Sequence, residues 1–430
     1  MKLVTVRHWV LPSLAAAVGA AACARHIVTA SGGSIEPSSR RALNASDRTL
    51  RVGLAVSGAP RLSSGGDWQL YSLASDRLVA RVPQGELWRV ERQSSRLRGV
   101  GPDGLTSAWQ SGGLVARSGS SALIAYNGKH YRGELLFLPN DTGIVVVNRL
   151  RMDDYLRGVV PLEIGTREAR DSAAVQAQAV TARSYAYVHA AASSSSRLYD
   201  VTASVSDQLY GGADGETAVS NAAVTATRGL VLQYAGRVVN APYHSACGGS
   251  TAGADEIWRS AAEPYLQRVS DEIPGTGRFY CDIAPRFRWT RTLDGATLRE
   301  DMVRYLAKYT QTPGGYPGTP RDVEVDTRTP SGRVGTLKIA TDRGNYVLRG
   351  NDVRYVLRSA DGEMLNSTNF TVESTPAPDG SIARLVLRGT GYGHGVGMCQ
   401  WGAIGRARAG QDFREILRTY YPGTTVAAIE

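Results

Sequence analysis

The chain has 430 residues, 42% of them hydrophobic, and a formal net charge of +10 from 49 Lys and Arg against 39 Asp and Glu. This length accommodates roughly two or three domains, and the apolar periodicities exclude a disordered chain. The basic excess indicates an anionic surface nearby, such as nucleic acid, lipid headgroups or an acidic wall polymer. Because the sequence has no arginine-rich helix, zinc-finger spacing or aromatic-basic motif, we expect no nucleic-acid partner.

The N-terminus has the pattern of an export signal. Lys2 and Arg7 precede an apolar run from Leu11 to Ala22, which is too short for a membrane span and fits a signal peptide. Cys23 follows three alanines and resembles the cysteine of a bacterial lipoprotein cleavage box, although alanine replaces the usual leucine. We therefore predict a periplasmic or cell-surface lipoprotein with Cys23 lipidated. Cleavage at an A-x-A site, with Cys23 lost or free, is the alternative.

A linker and a β-rich portion follow. Residues 24–48 are rich in Ser, Arg and Ala and have no apolar period, which predicts a tether. From Leu50 to about Asn148 the chain consists of short strand-like runs separated by Gly, Asp and Ser turns. These runs are LRVGLAV, LVARV, ELWRVER, SALIAY, GELLFLP and GIVVVNRL.

The chain then changes from strand to helix periodicity. Met152, Leu156 and Val159 lie at i, i+4 and i+7, which predicts one apolar helical face. Asp153 or Asp154 can cap the start of this helix. Its predicted end is near residue 160, because the residue before a proline avoids the α region.

A single carboxylate, Glu163, follows this predicted helix end. Its two neighbours in sequence are apolar, and partial desolvation by such flanks raises the pKa of a carboxyl group. A second helix is predicted from Asp171 or Ser172 to about Ala192, with nine alanines that suit close packing. Arg183 on this helix requires a partner, and Glu163 is the candidate.

Further along, a strand leads into the polar loop YHSACGGSTAGADEIW, from Tyr243 to Trp258. A polar loop after a strand commonly places side chains and backbone N–H groups in a cleft. His244, Cys247 and Cys281 are candidate zinc ligands, although no fourth ligand is evident. In an exported protein, a Cys247–Cys281 disulfide is the simpler interpretation. The sequence is compatible with the zinc site, with the disulfide and with free cysteines.

Residues from about 286 to 373 read as a separate α+β unit, with a helix at Asp294–Tyr309. Its predicted strands are RDVEVDTR, RVGTLKIAT, NYVLRG and FTVES. No catalytic constellation is visible in this unit, so we interpret it as a scaffold or a glycan-facing subdomain.

Near the C-terminus, six glycines surround His394, Gln400 and Trp401 in GTGYGHGVGMCQWG. Each glycine costs about 1 kcal/mol inside a helix, so this run fits a close approach of the backbone to a ligand or to another segment. Histidine, glutamine and tryptophan can bind a sugar by stacking and hydrogen bonds. A tightly packed glycine loop with His394 buried and neutral is the alternative.

Four blocks follow one another in this chain: NRLRMDDYLRGVVPLEIG; AVQAQAVTARSYAY; NAAVTATRGLVLQYAGRVVNAPYHSACGGSTAGADEIW with PYLQRV after it; and GTGYGHGVGMCQWGAIGRARAGQDFREILRTYYPGTTV. In this order they resemble the SpoIID/LytB family, which includes the sporulation stage II protein D and amidase-enhancer proteins of bacteria. With the preceding strands, the resemblance extends from about Leu50 to the C-terminus.

The resemblance implies a peptidoglycan lytic transglycosylase, which cleaves between N-acetylmuramic acid and N-acetylglucosamine in peptide-stripped strands. Glu163 occupies the place of the catalytic glutamate. Gln178 and Arg183 match the family's helix pattern, whereas Gln176 stands at a lysine position and two extra residues separate Glu163 from this helix. The residues expected to bind substrate are Gln178, Arg183, Tyr185, His244, Ser245, His394, Gln400 and Trp401.

In the implied mechanism, Glu163 acts first as general acid and then as base, so one carboxyl group suffices. Two other functions stay open. The chain could be a non-catalytic wall-binding enhancer of an amidase, or a conventional glycan hydrolase that uses Asp153, Asp154 or Asp207 as a second carboxylate. A sporulation role is not implied.

Together these observations predict an α+β protein with a β-rich N-terminal part, a helical catalytic core with Glu163 at a helix end, and an inserted α+β subdomain. The expected divisions are a signal peptide at 1–23, a linker at 24–48, a catalytic core at 49–285, the subdomain at 286–375 and the rest of the core at 376–430. No cofactor is required, and a structural zinc is a candidate. The expected partners are peptidoglycan glycan strands, an amidase, and the membrane through lipid on Cys23.

Overall fold

The computed structural model describes residues 48–119, 122–194 and 196–429, all within one compact unit. The predicted signal peptide, the lipidation site Cys23 and the linker up to residue 47 lie outside the described residues. Among the described helices, none combines the length and apolarity needed to cross a membrane. The fold is mixed α+β, as the sequence predicts.

The N-terminal part has a strand at each of the six predicted runs and six further short strands. Along this part of the chain they are β1 (Thr49–Ser57), β2 (Arg61–Ser64), β3 (Trp68–Ser72), β4 (Leu78–Val82), β5 (Trp88–Gln93), β6 (Arg96–Val100), β7 (Gln110–Ser111), β8 (Leu114–Ser118), β9 (Ile124–Tyr126), β10 (Lys129–Tyr131), β11 (Glu134–Asn140) and β12 (Gly143–Arg151). They form two sheets, with the strand orders β10-β9-β2-β5-β6-β7 and β1-β12-β11-β8-β3-β4.

The helical part follows directly after β12. Its elements are α1 (Met152–Ile164), α2 (Ser172–Ala192), β13 (Val201–Thr202), α3 (Ala218–Ala226), β14 (Leu230–Tyr234), β15 (Arg237–Val238), β16 (Tyr243–His244), α4 (Ala254–Ile257), β17 (Glu272–Ile273) and β18 (Arg278–Phe279). β13 pairs in parallel with β1 and extends the second sheet. The alanine-rich helix α2 has the predicted bounds, and its small side chains pack it against α1 and α3.

The first helix differs from the prediction at both ends. Arg151 is its N-cap, and Asp153 and Asp154 lie in its first turn without capping it. The helix does not stop near residue 160 but runs through Pro161 to Ile164. Burial of its apolar face outweighs the one backbone hydrogen bond that the proline removes. Glu163 therefore lies in the last helical turn and not beyond it.

The inserted α+β unit has its own apolar core, formed by residues between Leu293 and Leu387. Its elements are β19 (Arg288–Asp294), α5 (Gly295–Tyr305), β20 (Pro320–Arg328), β21 (Val334–Thr341), β22 (Gly344–Arg349), α6 (Asp352–Val356), β23 (Phe370–Pro376) and β24 (Ile382–Thr390). The sheets have the orders β19-β24-β23 and β20-β21-β22. α5 is shorter than predicted, because a 3₁₀ turn replaces its last residues.

The last residues return to the first core. They form β25 (Met398–Cys399), α7 (Gln400–Arg408), α8 (Phe413–Tyr420) and β26 (Thr425–Ala428). β26 pairs with β14, and β25 pairs in parallel with β16, which sets Tyr243 beside Met398. This short parallel pair brings the His244 loop and the glycine-rich loop side by side at one edge of the helical part.

Candidate active site

A cleft of about 570 Å³ lies where α1, α2, the β16 and β25 loops, and α6 of the inserted unit meet. Its lining includes Glu163 and Tyr185 from the two helices and His244 and His394 from the two loops. Arg354 from α6 belongs to the same lining. The inserted unit thus contributes directly to the cleft.

The carboxyl group of Glu163 is half-buried at this cleft. Burial raises the pKa of Glu163 to about 6, although the backbone N–H of Leu209 and the hydroxyl of Tyr243 both donate to the carboxylate and oppose the shift. The Leu209 contact is 2.7 Å to Oε1. A carboxyl group with such a pKa is present in both protonation states near neutral pH, as acid–base chemistry requires.

A chain of hydrogen bonds orients the hydroxyl that contacts Glu163. Tyr155 donates to Oε1 of Gln208 at 3.2 Å, and Nε2 of Gln208 donates to the Tyr243 hydroxyl at 3.0 Å. The Tyr243 proton is therefore left to point at Glu163. Tyr155 and Gln208 are fully buried. Their hydrogen bonds therefore hold the Tyr243 hydroxyl in a fixed position relative to the Glu163 carboxyl group.

Two of the three histidines in the cleft lining, His244 and His394, are neutral. Nε2–H of His394 donates to the carbonyl of Tyr243 at 2.8 Å, while its Nδ1 accepts from the N–H of Val396 at 3.1 Å. Burial lowers the pKa of His394 to about 3 and also lowers the pKa of His244. Trp258 packs on His394 with ring centroids 5.1 Å apart. These rings shape and line the cleft without carrying charge.

Asp207 is a second carboxylate in the lining, and its oxygens already have partners. Tyr185 donates to Oδ1 at 3.1 Å, and both the N–H and the hydroxyl of Thr202 donate to Oδ2. Asp153 and Asp154 lie at the opposite end of α1, about 14 Å along the axis from Glu163. Of the three carboxylates proposed from sequence as a second acid, only Asp207 reaches the cleft.

The structure brings together Tyr185, His244, Ser245, His394 and Gln400 around Glu163. Three other residues expected to bind substrate, Gln178, Arg183 and Trp401, are not in the lining. Gln178 is fully buried and accepts from Nε2 of Gln400 at 3.2 Å, so it positions a lining residue. Trp401 lies under the guanidinium of Arg167, 4.8 Å from its ring centroid.

The expected Glu163–Arg183 ion pair is wrong. Arg183 is fully buried, and its Nη2 and Nε donate to Oδ1 of Asp153 at 3.0 and 3.3 Å. Its Nη1 donates to the carbonyl of Leu230 at 3.0 Å. Since Asp153 lies in the first turn of α1 and Glu163 in the last, Arg183 stabilises the packing of α1 on α2 and leaves the Glu163 pKa unaffected.

The predicted Cys247–Cys281 disulfide is not formed. The two sulfur atoms are 3.4 Å apart, well beyond the S–S bond length of about 2.05 Å, and Cys399 is a third buried free thiol. Among the described residues, the group of potential metal ligands around these sulfur atoms does not include His244, whose Nδ1–H donates to the carbonyl of Val396 at 3.1 Å.

Sequence reasoning missed Tyr243, Gln208, Leu209 and Arg354. Only the folded chain shows that the first three contact one another or Glu163. Arg354 has no local signal, since it lies in α6, in a unit whose sequence shows no catalytic pattern. It is buried, with Nε donating to the carbonyl of Leu365 at 2.8 Å.

Comparison with known proteins gives two family matches. The family described as "Stage II sporulation protein" (SpoIID) matches residues 140–234, which include Glu163. A domain of unknown function, DUF8618, matches residues 277–397, which include α6 and the glycine-rich loop.

Three relatives have similarity over most of this chain. An uncharacterized protein of Brachyspira hyodysenteriae is 32% identical over 302 residues, covering 70% of this chain and 73% of the relative. The amidase enhancer of Bacillus subtilis is 29% identical over 305 residues, but these span only 40% of that longer protein. The stage II sporulation protein D of Bacillus amyloliquefaciens is 27% identical over 298 residues, covering 65% of this chain and 75% of that protein.

Proposed function

Because this chain belongs to the SpoIID family, with a cell-wall-related role, we propose that it is a peptidoglycan lytic transglycosylase. Its substrate is the linkage between N-acetylmuramic acid and N-acetylglucosamine in peptide-stripped glycan strands. The product strands end in 1,6-anhydro-N-acetylmuramic acid. The proposal includes export to the periplasm or cell surface and membrane attachment through lipid on Cys23.

The observation that carries the proposal is the environment of Glu163. A single carboxyl group in a cleft, with its pKa raised by burial to about 6, suits a residue that gives up a proton and then recovers one. Leu209 and Tyr243 direct hydrogen bonds at it. These donors stabilise the carboxylate that exists between the two proton transfers.

The reaction needs no water. Protonated Glu163 donates to the glycosidic oxygen, and the bond from that oxygen to C1 of the muramic residue breaks. The Glu163 carboxylate removes the proton from the C6 hydroxyl, whose oxygen forms the new bond to C1. The anhydro ring closes, the N-acetylglucosamine strand leaves with the first proton, and Glu163 is protonated again.

A second candidate function has its own support. One relative is named an amidase enhancer, so this chain could bind the wall and stimulate an N-acetylmuramoyl-L-alanine amidase without cleaving glycan. The cleft would then serve as a glycan-binding groove, and the raised pKa of Glu163 would have no catalytic consequence.

Replacement of one glutamate separates these functions. We expect Glu163→Gln to abolish release of anhydro-muramic products from peptide-stripped glycan, measured by mass spectrometry, with an unchanged circular dichroism spectrum. Glu168→Gln is the matched control, because Glu168 is an exposed glutamate five residues away that pairs with Arg170. Full activity of Glu163→Gln would refute the transglycosylase. Amidase stimulation that is equal in both variants, without anhydro product, would favour the enhancer.

A further inference from the structure

Three cysteines and one aspartate form a closed cluster behind the cleft. Cys247, Asp271, Cys281 and Cys399 are each fully buried, and their potential ligand atoms all lie within 4.8 Å of one another. Cys247 Sγ is 3.4 Å from Cys281 Sγ and 3.7 Å from Oδ2 of Asp271. Ligands around a tetrahedral zinc, with Zn–S bonds of about 2.3 Å, are about 3.8 Å apart.

The four residues come from three separate stretches of chain. Cys247 follows β16, Asp271 and Cys281 flank the β17–β18 hairpin, and Cys399 ends β25. These residues share no local sequence spacing, so only the folded chain brings them close together.

Backbone donors surround the sulfur of Cys399. The N–H groups of Cys247 and Gly402 both donate to its Sγ at 3.2 Å. These two donors fix the position of the sulfur atom, as outer hydrogen bonds do for metal ligands.

Asp271 has the hydrogen-bond partners that are typical of a metal-ligating carboxylate. The Tyr420 hydroxyl donates to Oδ1 at 2.6 Å, and Nη2 and Nε of Arg406 donate to the same oxygen at 3.2 and 3.3 Å. The other oxygen, Oδ2, is left facing the sulfur of Cys247. A Cβ on Gly402 would come within 2.6 Å of Oδ2 of Asp271. Glycine at position 402 therefore leaves the space beside this oxygen atom free of a side chain. Outer partners of this kind orient metal ligands.

We propose that Cys247, Asp271, Cys281 and Cys399 bind one zinc ion in a structural site. The site supplies four protein ligands and is closed to solvent, which is the arrangement of structural and not of catalytic zinc. Cys247 lies three residues after His244, and Cys399 directly precedes Gln400. The metal therefore ties together the two loops that form one side of the cleft.

Metal analysis of the purified full chain tests this site independently of enzymatic activity. We expect about one zinc per chain, with X-ray absorption showing three sulfur neighbours at about 2.3 Å and one oxygen at about 2.0–2.2 Å. A disulfide among these cysteines in peptide mass spectrometry, bound iron in place of zinc, or a reduced protein that takes up no added zinc would each overturn the proposal.

Two variants test whether Asp271 is a zinc ligand while all three cysteines stay in place. Tyr420→Phe removes a hydrogen bond to the ligand Asp271 and is expected to weaken zinc affinity by roughly 10- to 100-fold. Asp271→Asn alters a ligand itself and should weaken affinity at least as much, with both affinities measured by competition with a chelator. Asp282→Asn is the control, since this neighbouring carboxylate pairs with Arg278 outside the cluster and should leave affinity unchanged. Unchanged affinity in both test variants, with the fold intact, would exclude Asp271 as a ligand.

Discussion

The backbone N–H of Leu209 donates a 2.7 Å hydrogen bond to Oε1 of Glu163. This contact joins the last turn of α1 to the segment after β13, so two distant segments control one carboxyl group. It stabilises the carboxylate, whereas burial stabilises the acid, and burial dominates because the pKa of Glu163 is raised to about 6.

Glycan cleavage should slow as pH rises above about 6. The first step needs protonated Glu163, and that population falls tenfold per pH unit above its pKa of about 6. Initial rates of anhydro-product release, measured at substrate saturation from about pH 5 to 8, check this. Rates that stay constant or increase over this range would contradict the assigned role.

The stability of the fold should depend on the protonation of Glu163. Its pKa in the folded chain is raised above the ordinary value of 4.5 to about 6, so the folded state binds the proton more tightly than the unfolded state. This stabilisation is complete below pH 4.5 and is lost as pH rises through about 6. Relative to wild type, Glu163→Gln should become more stable across this window in urea denaturation. A constant difference between the two proteins would show that burial does not shift this pKa.

Tyr243→Phe should shift the pH profile of kcat to higher pH. The Tyr243 hydroxyl lowers the Glu163 pKa by donating to the carboxylate, so its removal should shift the alkaline limb of kcat upward by up to about one pH unit, which is about 1.4 kcal/mol. We also expect kcat to fall about tenfold, because the intermediate carboxylate loses a donor. Tyr187→Phe on α2, outside the cleft lining, is the control. A lower kcat with an unshifted limb would mean that Tyr243 acts on something other than the acid.

His394 should remain neutral wherever the protein is folded. Its pKa is lowered to about 3 by burial, and its contacts fix the Nε2–H tautomer. Imidazole nitrogen chemical shifts between about pH 5 and 8 should therefore stay those of this tautomer. Titration of His394 in that range would make it a second proton carrier and would require a different mechanism.

Arg183→Leu should affect stability and not substrate binding. Arg183 is fully buried against Asp153, and removal of one partner of a buried pair typically costs about 3–5 kcal/mol. Denaturant unfolding measures this loss, and KM for stripped glycan should not change in the folded enzyme. Arg170→Leu, at an exposed arginine, serves as control. A raised KM with unchanged stability would show instead that Arg183 takes part in substrate binding.

Most secondary structure could be predicted, because it depends on local periodicity. The six predicted N-terminal strands and α2 follow their apolar patterns, but the predicted position of Glu163 beyond the end of α1 was wrong, because this residue lies in the last turn of the helix. The end of α1 was missed because the rule for residues before proline is local, whereas tertiary burial of the helix face decides the outcome.

The site was predicted only in part, for a physical reason. His244 and His394 were recognised as loop residues, but their meeting depends on the parallel pairing of β16 with β25, which connects residues about 150 positions apart. The same pairing brings Cys399 to Cys247 and so changes the interpretation of the cysteines. Arg354 reaches the cleft from a unit whose sequence shows no catalytic pattern.

The most direct measurement of the central claim is the product formed in water enriched in the heavy oxygen isotope. Wild-type protein incubated with peptide-stripped glycan should release strands ending in 1,6-anhydro-muramic acid that contain no heavy oxygen, because the C6 hydroxyl and not water attacks C1. Reducing-end muramic acid carrying the label would identify a hydrolase. No cleavage at all, by a protein that binds the strands, would contradict an enzymatic role for Glu163.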